Sequence, residues 1–176
     1  MKNLTIILSI FLFVSCSSDD DKNTNENTSS ETDFNLVTGI NIRNSVNGDG
    51  IQLGNPNIYT NNQFIAYPNP PVGQLNLESN QNISNVWITP ANAEKIYQET
   101  DFNEILNSDL YSETQIDSNA TLKLLNQSSS SIFVNLESLN SGYYKVFVEI
   151  DEKIYWDTIY IGDDNFEIED LINYWE

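Results

Sequence analysis

The side chains able to do chemistry are few in kind. The chain has no histidine, one cysteine (Cys16), and 26 acidic residues against seven basic ones, a formal net charge of -19. Without histidine it lacks the commonest general base and zinc ligand, and Ser-His-Asp or Cys-His mechanisms are excluded. A lone cysteine can form no intramolecular disulfide and has no second thiol for a metal site. The catalytic arrangement left open is a carboxylate pair of the glycoside-hydrolysis kind, and acids are so frequent that no pair stands out by spacing. Asn47-Gly48-Asp49-Gly50 has a faint likeness to a cation loop. It lacks the alternating acids and distal glutamate of an EF-hand, so a plain turn is the simpler reading. No cofactor is implied, and the residue whose type and position point to chemistry is Cys16.

What precedes Cys16 explains it. Lys2 is followed by an apolar run, Leu4 to Val14, broken only by Thr5 and Ser9. Eleven residues are too few to span a hydrocarbon core of roughly 30 Å, which needs about 20 in a helix; a short run behind a lysine, ending in small residues, is the pattern of a removed signal peptide. Phe13-Val14-Ser15-Cys16 resembles the lipobox of bacterial lipoproteins. That resemblance implies a signal peptide over residues 1–15, acylation of the Cys16 thiol and cleavage before it. Acyl chains, at about 0.8 kcal/mol per buried methylene, then hold the protein on a membrane. The next residues, Ser17-Ser18-Asp19-Asp20-Asp21, resemble the surface-export signal of Bacteroidota-type lipoproteins and imply display at the outer surface of a Gram-negative outer membrane. Loss of Lys2 with the signal leaves 26 acids against six bases. Such a chain is repelled by nucleic-acid phosphates and by anionic lipid, so its membrane contact is the Cys16 anchor, not charge.

The elements beyond the anchor are mostly strands. Residues 16–33 carry no large apolar side chain and read as a flexible acidic tether that cannot offset its ordering entropy. Residues 37–43 have β-branched content suited to a strand, and residues 44–57, rich in Asn and Gly, read as a long irregular loop. Further strands are expected over 63–67, 74–78, 83–89, 93–100, 121–125, 131–137, 143–150 and 153–161, with Asp151-Glu152 as a hairpin turn. Leu75 and Leu77, Ile132, Val134 and Leu136, and Tyr144, Val146, Val148 and Ile150 alternate with polar residues, each set on one face. Asp101-Phe102-Asn103-Glu104 reads as a capping box opening a short helix to about Tyr111. In the acidic tail, residues 163–176, Ile168, Leu171, Ile172 and Trp175 fall on one helical face. That face either packs on a sandwich edge or docks into a partner. Many short alternating strands predict an all-β fold, an antiparallel β-sandwich over residues 34–162 with one or two short helices.

A second resemblance sits within that region. Tyr67-Pro68-Asn69-Pro70, a turn with Gly73, and the alternating Leu75-Asn76-Leu77 resemble the start of the type IX secretion C-terminal sorting domain. Val134 to Val146, through Leu136, Leu139, Gly142 and Tyr144, is similar to that family's stretch leading into its final hairpin. The likeness spans about residues 64–162 and implies a small immunoglobulin-like β-sandwich. Gly142 suits a tight turn requiring positive φ. Tyr144 suits a sandwich corner where a buried ring reaches backbone with its hydroxyl. Pro68 and Pro70 suit the end of a strand, since proline cannot donate to a ladder.

The reading that joins these features is a lipid-anchored surface lipoprotein whose sandwich is a non-enzymatic binding or structural module, with an envelope protein or a glycan as partner. Trp87, Trp156 and Trp175 are candidate contacts, although tryptophans on strands are usually core. A cleaved sorting and delivery module is the second reading, and a small carboxylate-based hydrolase the third.

Overall fold

The computed structural model describes residues 29–48 and 50–176. Its strands are β1 (Leu36–Val37), β2 (Gly39–Ile42), β3 (Ile51–Gly54), β4 (Phe64–Val72), β5 (Gln74–Ala93), β6 (Leu122–Leu124), β7 (Ser129–Asn135), β8 (Gly142–Ile150) and β9 (Lys153–Ile161). Helices α1 (Phe102–Ile105), α2 (Glu113–Asn119) and α3 (Ile168–Trp175) complete the set. The fold is a β-sandwich, as the alternation predicts.

The 20-residue β5 belongs to both layers. Its first part pairs antiparallel with β4 and β7, and after a register shift between Glu78 and Ile83 it pairs with β6 and β8. Asn80, Gln81 and Asn82 lie exposed at the crossing. The alternating side chains of both layers meet in one core. Leu75 and Leu77, Ile132 and Val134, and Val146, Val148 and Ile150 pack there with Val86, Ile88 and Ile159. Asp151 and Glu152 both have positive φ, the two-residue hairpin turn that matches strand twist.

Several elements depart from the sequence expectation. Strands expected at 74–78 and 83–89 are one continuous strand, because polar Glu78–Asn82 crosses between layers instead of turning back. Residues 94–100 leave the sheet after Ala93. The loop expected over 44–57 contains β3, which pairs antiparallel with β2, Ile40 opposite Leu53. Gly54 ends β3 opposite Gly39 with φ +64°, and a Cβ there would lie 2.6 Å from the Trp175 ring. The helix expected from Asp101 to Tyr111 stops at Ile105: the Asp101 side chain accepts from the Asn103 amide, not that of Glu104. A helix the sequence reading missed, α2, is capped by Ser112 and buries Ile116. The described residues thus hold three helices rather than one or two, and β1 adds a parallel pairing with β5.

The outer face of the β5-β8-β9 layer is covered. At one end Trp87, Phe147 and Trp156 pack under α1, α2, Phe34 and Tyr111. At the other, Ala91, Tyr143 and Tyr160 pack with the β2–β3 hairpin and with Leu171 and Trp175 of α3. The acidic tail is therefore part of the fold. Residues 29–33, expected as tether, also fold down: the Asp33 carboxylate accepts from the Ser30 amide at 2.8 Å and from the Ser29 and Ser30 hydroxyls, and Tyr111 donates to the Thr32 carbonyl. Phe34 stacks on Phe147 at 5.2 Å.

Between the two apolar patches runs a polar seam. Thr89, Lys145 and Thr158 are cross-strand neighbours. All three are fully buried, and among the described residues none of their side-chain polar atoms has a hydrogen-bond partner. The Lys145 Nζ lies 5.3 Å over the Tyr111 ring. Burial pushes its ammonium down to about 7, opposed by the Asp33 charge. Between that value and the ordinary 10.5 the unfolded chain holds a proton that the folded chain has released, so this residue's contribution makes stability rise with pH across that window. Lys145→Met is expected to raise the urea midpoint near pH 7 and to flatten the rise in midpoint above it.

Candidate binding surface

The Tyr67–Pro70 stretch sits where the two layers and the β2–β3 hairpin meet. β4 pairs with β5 up to Tyr67 and regains it only at Val72. Pro68, Pro70 and Pro71 have no N–H to give a ladder, and the one amide among them, Asn69, turns away to pair with Arg43. Asn69 N donates to the Arg43 carbonyl at 2.7 Å, and Arg43 N donates to the Asn69 carbonyl at 2.9 Å. The prolines thus redirect the strand instead of ending it.

The buried Asn69 side chain then closes the outer edge of β9. Its Nδ2 donates to the carbonyls of Asn41 at 2.7 Å and Thr158 at 2.8 Å, and its Oδ1 accepts from the Tyr160 amide at 3.2 Å. Trp156 exchanges both backbone bonds with Tyr59, and the Thr158 amide donates to the Asp157 carboxylate at 2.8 Å. The outward amides of Trp156, Thr158 and Tyr160 and the carbonyls of Trp156 and Thr158 are therefore taken, which blunts an edge that could template aggregation. Asp157 is 1% exposed and faces Arg43 at 3.2 Å. Burial pushes its carboxyl above the usual range, against the pull of the Arg43 charge and the Thr158 amide.

Other expected positions are structural. Gly142 opens β8 with φ +143°, and Tyr144, buried in the core, donates its hydroxyl to the Asn140 carbonyl at 2.9 Å. Trp87, Trp156 and Trp175 are core residues, their indole N–H groups held by Asp117, the Asn57 carbonyl and the Tyr143 hydroxyl. They are not ligand contacts. Cys16, Ser17, Ser18, Asp19, Asp20 and Asp21 lie outside the described residues, as does Asp49 of the Asn47–Gly50 turn.

The face left open is the outer side of the β4-β5-β7 layer. Its outward side chains are Ile65 and Tyr67 on β4, Gln74, Asn76 and Glu78 on β5, and Ser131, Phe133 and Asn135 on β7, as the pairing register and the burial of their neighbours require. Phe133 is 73% exposed. Tyr67 and Phe133 both lie opposite Asn76, one on each side, so about 9.6 Å separates their backbones, two strand spacings. Tyr67 donates its hydroxyl to Glu78, and that bond lifts the phenol above its ordinary range. The Asn76 Oδ1 is enclosed and has no hydrogen-bond partner among the described residues. At Ile65 and Glu78 the face runs into a concavity of about 440 Å3 lined also by Asn41, Arg43, Thr60, Asn62 and Gln63.

Phe133 escaped the sequence reading although its signal was present: it occupies the polar phase of a strand whose other phase is Ile132, Val134 and Leu136. Arg43 and Asp157 carry no local signal of their pairing. Among the described residues, no three potential metal ligands cluster, and no helix is long and apolar enough to cross a membrane. No protein-family model matches the chain, and no curated protein and no solved structure matches it.

The Arg43–Asp157 pair is expected to matter most near neutral pH. Arg43→Met leaves a buried carboxylate unpaired, at a cost of about 3–5 kcal/mol. Protonation of Asp157 relieves that cost, so the urea midpoint of the variant should approach the parent's as pH falls below the raised Asp157 value.

Proposed function

We propose that this is a lipid-anchored protein of the Gram-negative outer-membrane surface that works by binding, not catalysis. The observation that carries the binding reading is the uncovered face of the β4-β5-β7 layer, where Phe133 stands in solvent and Tyr67 is fixed beside it. An exposed ring with a second, hydrogen-bonded ring on the same uncovered sheet face is a surface on which a ligand can stack. The anchoring half of the reading rests on the sequence: Cys16 in a lipobox-like setting and the Ser17–Asp21 run behind it.

Retention of the whole sandwich is favoured over a sorting tag removed at its first motif. Leu171 and Trp175 of α3 pack on Val37, Ile40 and Leu53, and a cut near Tyr67 would divide that cluster between two fragments. Partners are the membrane, through Cys16, and an envelope ligand at the open face.

The test is the intact mass of the protein taken from outer membranes of its native host. The reading requires residues 16–176 plus acyl chains, membrane loss in Cys16→Ala, and digestion by protease added to intact cells. A chain that ends near Tyr67, or begins elsewhere than Cys16, would contradict it.

A further inference from the structure

We infer that the open face binds an extended, uncharged polysaccharide, with its sugar rings stacked on Phe133 and Tyr67. This rests on the reading of that face as the binding surface.

The first argument is charge. The chain has 26 acids and seven bases, yet of the outward side chains of the β4-β5-β7 layer only Glu78 is ionisable near neutral pH, and it accepts from the Tyr67 hydroxyl. A basic peptide would call for an acidic surface, and an anionic polymer for a basic one. This face, a neutral patch on a strongly acidic molecule, complements a ligand that is itself neutral. The second argument is the pairing of rings with amides. Aromatic faces take the apolar C–H faces of sugars, while carboxamides both donate to and accept from hydroxyls. Here the two rings flank one carboxamide, Asn76, on the outward side of β5. The third argument is geometry. Ring-bearing positions about 9.6 Å apart on one sheet face suit contacts with separate units of an extended chain rather than with one compact molecule. Beyond Ile65 the surface drops into the concavity lined by Asn62, Gln63 and Arg43, which gives the chain an end stop rich in hydrogen-bonding groups.

Phe133 is mainly solvated, so Phe133→Ala leaves the core intact, and Phe133→Tyr restores a ring. The mature acylated protein in detergent is run by affinity electrophoresis through gels containing a soluble β-glucan, a xylan, a mannan, the host's own surface polysaccharide, or anionic polygalacturonate. The expected result is retardation by at least one neutral polysaccharide. Affinity should fall about tenfold in Phe133→Ala, the loss of one stacked ring, and return in Phe133→Tyr. Equal retardation of parent and Phe133→Ala, or none by any gel, overturns the inference. Phe133-dependent retardation by polygalacturonate alone also overturns it, but leaves the face standing as a binding surface. An unacylated protein would instead defeat the anchoring proposal, whatever the gels show.

Discussion

The carboxamide of Asn69 holds three parts of the molecule at one point. It donates to β2 through the Asn41 carbonyl and to β9 through the Thr158 carbonyl, and it accepts from the Tyr160 amide. Its own backbone pairs with Arg43. The prolines on either side make this possible by freeing the segment from β5. With Tyr59 and Asp157 completing the set along β9, the outward amides of Trp156, Thr158 and Tyr160 are all bonded. Each such bond is worth about 1 kcal/mol net, but a stranded buried partner costs about 1–3 kcal/mol, so the constraint acts mainly by what its loss would leave unpaired.

With that edge closed, the rest of the surface follows from what covers what. The outer side of the β5-β8-β9 layer is hidden by helices and by the β2–β3 hairpin, and its tryptophans are buried with their N–H groups satisfied. The price is the seam of Thr89, Lys145 and Thr158, shut in where the two coverings meet. Among the described residues nothing covers the opposite layer, and its outward positions are neutral except for Glu78. The charge that keeps the molecule soluble lies elsewhere, on the tail, the helices and the turns.

The sequence was most legible where one physical rule acted alone. Strict alternation marked the inward faces of β7 and β8, and Leu75 and Leu77 of β5, because one side of each strand meets a common core. The helical spacing of Ile168, Leu171 and Trp175 was legible for the same reason. Where two rules competed, reading failed. Polar Glu78–Asn82 resembled a turn because crossing between layers exposes a strand as a turn does. β3 was hidden in an Asn- and Gly-rich stretch since its partner β2, not its own composition, makes it a strand. Lys145 looked like a solvent-facing residue of β8; its ammonium lies under the Tyr111 ring, far away in sequence. Asn69 was noticed as part of a motif, but its bonds to Thr158 and Tyr160 span some 90 residues and have no local trace.

Hydrogen exchange at the backbone amides of Trp156, Thr158 and Tyr160 tests the closed edge most directly. The bonds from Trp156 to Tyr59, from Thr158 to Asp157 and from Tyr160 to Asn69 predict that all three exchange only as slowly as the amides of central β8. Fast exchange at Thr158 and Tyr160, with β8 still protected, would show an open edge and contradict the account.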